Sequence, residues 1–425
     1  MVKQAEKSYM SSLAVIALVI GLQLGSALFL LPTQLAPYGS WSALSWFCSG
    51  IGALTLSLVF AVLSRCDQAL GGPSVYVEKA FGSRAAFYTA WAYWVISWIS
   101  AIPYLLLGVK AIREVIPWDI SLMHEICIMA VILFSITYLN LKGALIAGRG
   151  EIVFAGLKII PWLCIPVLLL LWYGTPKWVW PVGVTAYKGL STTSIITFWG
   201  FVGFEASTTI TNYIRNPERI LPLALIAGTL CVIMVYFLNT WILMGVTPWS
   251  VLMHDSNPYG ALFEDIFGPV GRALFSFLAA MTCVGTLNSW ILACGQVVFA
   301  AVQSKTVPPL LRDHPAVARP TFGVWATFYA MLGSTFVIQL FDSEKTLGLL
   351  VELCCAVFIG VYFMCLIALL RLMQQKKVTP GIWIWPVIAI GGVFCVWSLW
   401  GISCILWLGA ACIVISGWGV ERLAR

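Results

Sequence analysis

The chain has 425 residues, 61% of them hydrophobic and only 10% charged, with a formal net charge of +7 and a mean hydropathy of +0.95. A soluble globular domain would carry about a quarter charged residues, so that class is excluded. Apolar windows of about 20 residues, the length that crosses a bilayer, recur from end to end and leave no soluble domain between them.

In chain order, twelve membrane-spanning helices are predicted, at roughly 11–31, 42–63, 85–109, 122–140, 152–173, 191–210, 220–245, 268–301, 322–341, 346–370, 381–399 and 402–420. The segment 1-MVKQAEKSYM-10 runs straight into the first span with no small-residue cleavage pattern, so no cleavable signal peptide is expected. That span contains 21-GLQLGSALFLLP-32, where two glycines, a glutamine and a serine within six residues are poor material for a helix in hydrocarbon. The fifth span, 151-EIVFAGLKIIPWLCIPVLLLLWY-173, carries Lys158 about two turns in. This lysine is either functional at membrane depth or snorkels to the cytoplasmic surface. The sixth is interrupted by 198-FWGFVGFEAST-208, with two glycines and the carboxylate of Glu205, five helices after the first interruption. Early in the tenth lies Glu352, in 348-GLLVELCCAVF-358, either a functional group within the span or a residue near the outer boundary.

Glycine-interrupted spans at matching positions of two halves point to an inverted-repeat transporter. The plainer alternative, glycines that only permit close helix packing, suits one interruption better than two. Unwound backbone is tolerated at membrane depth only where it lines a polar cavity. There, half-helix amides attract a carboxylate and freed carbonyls accept from an ammonium, which together suit a zwitterion.

Seventeen basic residues fall in segments that are cytoplasmic if the N-terminus is, Lys3, Arg65, Arg84, Lys142, Arg371 and Arg422 among them. The outer loops hold five: Lys110, Arg113, Lys177, Lys188 and Lys345. This positive-inside bias predicts both termini in the cytoplasm and accounts for the net charge without nucleic acid. The thirteen cysteines lie almost entirely in spans and have no zinc-site spacing with a histidine, so neither metal nor cofactor is expected. An integral-membrane enzyme would need a polar cluster near one membrane face, and a channel a charged ring or filter supplied by subunit symmetry. The sequence carries neither.

The residues resemble the amino acid–polyamine–organocation superfamily, and within it the basic amino acid and polyamine antiporters, including arginine–agmatine exchangers. The resemblance rests on 25-GSALFLLPTQLA-36, 71-GGPSVYVEKAFG-82, 93-YWVISW-98, 199-WGFVGFEAS-207 with 216-NPERILP-222, and 289-SWILACGQ-296 leading to 307-VPPL-310. It implies an all-α integral membrane fold with a five-plus-five inverted repeat, helices 1–5 over 11–173 and helices 6–10 over 191–370. Two further helices would follow over 381–420, with helices 1 and 6 broken and the protein a homodimer in the cell inner or plasma membrane. The function implied is secondary active transport of amino acids or amines.

Carried over residue by residue, Gly25, Ser26 and the amide of Ala27 would bind the substrate carboxylate, and the carbonyls of Gln23, Trp199 and Val202 its ammonium. Trp290, Ser97, Ala101, Tyr104 and Cys354 would line the substrate side chain. Tyr93, Trp199, Glu205 and Tyr362 match gating positions. Glu205 and Lys158 would serve coupling. Three departures matter. The GSG triplet of the family reads Gly25-Ser26-Ala27, and the asparagine that holds a guanidinium aligns with Ala101. A methionine and a serine align with Tyr104 and Cys354. Burying a guanidinium without polar partners costs several kcal/mol, so arginine is not the expected substrate. Lys158 matches instead the lysine of proton-coupled and sodium-independent members, where the ammonium stands in for a sodium ion between the fifth, first and eighth helices. Sodium-independent amino acid exchange is the expectation, with proton symport through Lys158 or polyamine exchange as alternatives.

Overall fold

A computed structural model describes residues 9–66, 72–116, 118, 120–255, 257–303, 321–339, 343–400 and 402–424. Gly71, the 307–310 motif and the basic residues Lys3, Lys7, Lys305, Arg312, Arg319 and Arg425 lie outside them. Every regular element among the described residues is helical. They run α1 (Ser12–Gln23), α2 (Ala27–Leu35), α3 (Ser40–Cys66), α4 (Pro73–Phe81), α5 (Ser83–Val115), α6 (Leu122–Leu141), α7 (Ala144–Tyr173) and α8 (Ala186–Phe198). After two 3-10 segments, Trp199–Phe201 and Phe204–Tyr213, follow α9 (Pro217–Val246), α10 (Trp249–Leu252), α11 (Pro258–Phe267) and α12 (Pro269–Gln303). The last four are α13 (Thr321–Ile338), α14 (Ser343–Gln374), α15 (Ile384–Trp400) and α16 (Cys404–Ala424).

Ten helical stretches among the described residues are long and apolar enough to cross a membrane, Ser12–Tyr38 being the first. The predicted eleventh span is a shorter apolar helix, α15, and the predicted sixth is divided among α8 and the two 3-10 segments. The short helices α4, α10 and α11 are additions to the sequence reading; α4 is framed by Gly72 and Gly82, whose φ of +61° and +89° stop continuation on either side.

Burial separates core from periphery. The apolar window of Ser12–Tyr38 is 78% buried, as is that of α12, whereas the α16 window is 11% buried and lies at the periphery of the bundle. The central stretch α1 packs against α7, α9 and α12, while α5 packs against α4, α12, α13 and α14. Small residues set these approaches: a Cβ at Gly228 would lie 2.6 Å from Val19, and one at Gly50 2.6 Å from Ile233.

Several polar residues within the spans find partners inside the bundle, as hydrocarbon favours, although both polar atoms of the Gln296 side chain and the hydroxyls of Ser194 and Ser398 are buried without one. On α3, Ser45 and Ser49 donate back to the carbonyls of Ser42 and Ser45, and Ser49 also meets Thr197 of α8 at 2.9 Å. The Trp46 indole donates to Thr240 of α9 at 2.7 Å. At one end of α5, Arg84 pairs with Glu421 of α16 and the Tyr88 hydroxyl donates to the same carboxylate. At its other end Arg113 pairs with Glu125 of α6.

Candidate substrate site

The first span stops being helical where its sequence softens. Leu24 is extended (φ −79°, ψ 92°), and the helix restarts at Ala27. In an unbroken helix the carbonyls of Gly21, Gln23 and Leu24 would accept from the amides four residues on. Here side chains replace those amides. Lys158 Nζ of α7 donates to Gly21 O at 2.9 Å, the Tyr236 hydroxyl of α9 to Gln23 O at 2.6 Å, and Thr286 Oγ1 of α12 to Leu24 O at 3.0 Å. Gly25 N turns to the Tyr236 hydroxyl at 3.4 Å. At the start of α2 the amides of Phe29 and Leu30 already donate to Ser26 O, at 2.9 and 2.8 Å, which leaves those of Ala27 and Leu28 at the helix opening. They form the positive end of a half-helix beside the Ser26 hydroxyl, a place for a carboxylate.

Gly203 breaks the sixth span. Its φ of +115° suits glycine, and a Cβ there would lie 3.0 Å from the Trp290 ring and 3.2 Å from Leu22 O. Val202 before it is extended, and Phe204–Tyr213 continues as 3-10 helix rather than α-helix. Ser207, Thr208, Thr209 and Thr211 each donate to the carbonyl three residues back, at 2.6–2.9 Å, which favours the tighter winding.

The two breaks meet. The Trp199 indole donates to Ser26 Oγ at 3.1 Å and stacks on Tyr104, with ring centroids 6.2 Å apart and planes at 17°. The Tyr104 ring presses on the first break, since a Cβ on Gly25 would sit 2.5 Å from its Cε1. Trp290 lies over Gly203 and 5.5 Å from Phe358. Ser26, Trp199, Tyr104, Trp290, Ala101, Val202 and Cys354 are all buried. The site is therefore polar at the two breaks and apolar or aromatic elsewhere. The Ser97 hydroxyl donates within its own helix, to Tyr93 O at 2.6 Å, and Gln23 donates likewise to Val19 O at 3.1 Å. The Gln23 carbonyl, expected to receive an ammonium, already accepts from Tyr236, though a carbonyl oxygen keeps a second lone pair.

Glu205, Tyr93 and Tyr362 converge although they are far apart in sequence. Glu205 Oε1 accepts from the Tyr93 hydroxyl at 3.0 Å, and Oε2 accepts from the Tyr362 hydroxyl and from Gly203 N at 3.2 Å. Three donors hold a fully buried carboxylate against the second break. Lys158 does not snorkel: it is fully buried, and its ammonium joins α7 to the α1 carbonyl and to Thr286 of α12, with Nζ to Oγ1 3.3 Å. Glu352 is exposed on α14.

Sequence reasoning missed Tyr236, Thr286 and Phe358. None carries a charge or a motif that distinguishes it from its neighbours in the span; only the partner each meets across the bundle marks it.

Comparison with known proteins bears on this geometry. A profile of the amino acid permease family matches residues 10–415. Putrescine transporter PotE of Escherichia coli K12 is 25% identical over 382 residues, covering 89% of this chain and 87% of that protein. Its counterpart from Haemophilus influenzae is 24% identical over 401 residues, covering 93% and 92%. The cadaverine/lysine antiporter of E. coli K12 is 27% identical over 338 residues, covering 76% and 74%. The profile match takes in both broken spans and every residue of the site just described. The chain belongs to the amino acid permease family of the amino acid–polyamine–organocation superfamily, and is a multi-pass membrane transporter.

Proposed function

We propose that the chain is a secondary active, sodium-independent amino acid exchanger that works by alternating access. The observation that carries this reading is the meeting of the two breaks at Ser26 and Trp199, where the opening amides of a half-helix and carbonyls that keep a second lone pair suit both ends of an α-amino acid. Lys158 supports sodium independence, because its ammonium already bridges the Gly21 carbonyl and Thr286, supplying a positive charge between α1 and α12. Ala101, Tyr104, Cys354 and Trp290 offer a side chain no acidic partner, which favours a neutral substrate over a guanidinium. Glu205 and Lys158 are the coupling groups, and Tyr93, Trp199 and Tyr362 the gating groups. The full architecture is twelve spans in a five-plus-five inverted repeat plus two, with both termini cytoplasmic and the protein a homodimer in the inner or plasma membrane.

Two further readings have support. Lys158 could release a proton toward the cytoplasm, giving proton symport. The buried carboxylate of Glu205 could receive a second ammonium, giving exchange of polyamines, the substrate class in the names of the relatives. The test is uptake of labelled amino acids and amines by the purified protein in liposomes. Each is run with internal amino acid, with an imposed pH gradient, and with and without sodium. Uptake that needs internal substrate and ignores sodium is the expected result. Uptake into empty vesicles driven by inward proton flow, and lost in Lys158→Ala, would replace exchange with symport.

A further inference from the structure

Beyond the site lies a cavity of about 570 Å3 between the ends of α2, α5 and α6 that are remote from Arg84 and Glu421. That volume is within the range of ligand pockets, roughly 300–1,000 Å3. Its apolar lining comes from Phe29, Leu30 and Leu106, and its charged lining from Lys110, Arg113 and Glu125, with His254 on the same wall. Lys110 and Arg113 are three residues apart on α5 and share a side of that helix. Lys110 lies six residues beyond Tyr104, about 9 Å along the axis at 1.5 Å per residue. The cavity thus lies one to two turns past Tyr104 along α5, and it takes Phe29 and Leu30 from α2, whose first turn borders the site. Arg113 Nη1 donates to Glu125 Oε1 at 2.9 Å, which uses one of the five N–H groups of a guanidinium.

We propose that this cavity is an antechamber to the site, that it captures the α-carboxylate of incoming amino acid, and that it selects against decarboxylated amines. The inference rests on the amino acid reading above. Two basic side chains on one helix face attract a carboxylate, and Arg113 can engage it while Glu125 meets the α-ammonium. A diamine has no carboxylate for the basic pair to engage; Glu125 can receive one of its cations, but like-charge encounter with Lys110 and Arg113 raises its barrier to entry. The antechamber thus makes the two membrane faces unequal: on its own face it recruits substrates by the group that a decarboxylase removes.

The test separates charge from packing. Initial rates of exchange are measured for labelled leucine, lysine and putrescine, presented to each membrane face in turn, in oriented liposomes. For wild type, Lys110→Gln, Arg113→Gln and Lys110→Arg, KM and kcat are read apart. The expected result is a KM for leucine and lysine raised on the order of tenfold in both Gln variants, from the antechamber face only, with kcat kept. Putrescine shows an unchanged or lowered KM, and Lys110→Arg behaves as wild type. Raising ionic strength should erode the wild-type advantage from that face. An equal shift for putrescine, an equal shift from both faces, or no shift at all would overturn the capture role. The Arg113→Gln/Glu125→Gln double variant, which removes both charges of the pair, guards against misfolding as the cause. If it folds, exchanges and still loses the discrimination, the proposal stands; if it restores wild-type KM for leucine, the role fails. Silence of wild type for both amino acids from both faces would instead defeat the amino acid reading itself.

Discussion

Replacing Lys158 by methionine keeps most of the side-chain volume and removes every donor. In the structure that leaves Gly21 O without a partner, because Gly25 N, its helical donor, is turned to Tyr236. An orphaned buried acceptor costs about 1–3 kcal/mol, whereas interhelical bonds in a membrane protein average about 0.6 with a maximum near 1.7. The two ranges overlap at about 1–1.7 kcal/mol. If that free energy is lost from the conformation that binds substrate, affinity falls about 5- to 16-fold, at 1.4 kcal/mol per decade. The assay is exchange by Lys158→Met in liposomes across a substrate series, together with the melting temperature of the purified protein. Lys158→Gln, which retains two N–H donors on a shorter arm, should recover part of the loss. Wild-type KM and wild-type melting in Lys158→Met would refute the reasoning, since the freed carbonyl would then have no need of its ammonium.

Gly203→Ala adds a methyl 3.0 Å from Trp290 at a φ of +115°, so backbone strain and overpacking together cost about 2–5 kcal/mol. Expression screened by fluorescence-detected size exclusion, with a thermal ramp, should show a large drop in stability. Tyr93→Phe and Tyr362→Phe each remove one donor to Glu205, and the double variant should depart from additivity by about 0.5–3 kcal/mol in a cycle on exchange rate. Additive effects would mean the two hydroxyls do not share the carboxylate. Tyr104→Ala empties the space over Gly25 and should let larger side chains compete for uptake, with little loss of the original substrate's kcat. An unchanged competition profile would exclude Tyr104 from the substrate's surroundings. Trp199→Phe loses the bond to Ser26 while keeping the ring over Tyr104, and should raise KM about tenfold, read from initial rates.

Both breaks were legible because their cause is local. Gly25 with Ser26, and Gly203 beside Glu205, weaken helices in the few residues where the structure interrupts them. Lys158 and Glu205 were legible because a charge in an apolar run is conspicuous. What answers those groups was not. Tyr236 lies 213 residues from the carbonyl it serves, and Tyr362 157 from Glu205, so only the folded bundle joins them. The 3-10 winding of Phe204–Tyr213 was also hidden, because it depends on hydroxyls choosing carbonyls three residues back. Likewise, Lys110 and Arg113 counted in the sequence only as loop charges, and the cavity they line required α2, α5 and α6 to be set side by side.

Tyr236 has a mechanical consequence. Its hydroxyl grips the chain on both flanks of the first break, and its ring stacks on Trp46 at 4.2 Å and 14°. Trp46 in turn is bonded to α9 through Thr240. The unwound strand is thus riveted to a plate made of α3 and α9. Lys158 and Thr286 clasp the neighbouring carbonyls from α7 and α12. Any rocking of the plate away from α7 and α12 has to undo one of these fastenings. Pivot and catch therefore lie within four residues of each other, Gly21 to Gly25, on a single stretch of chain.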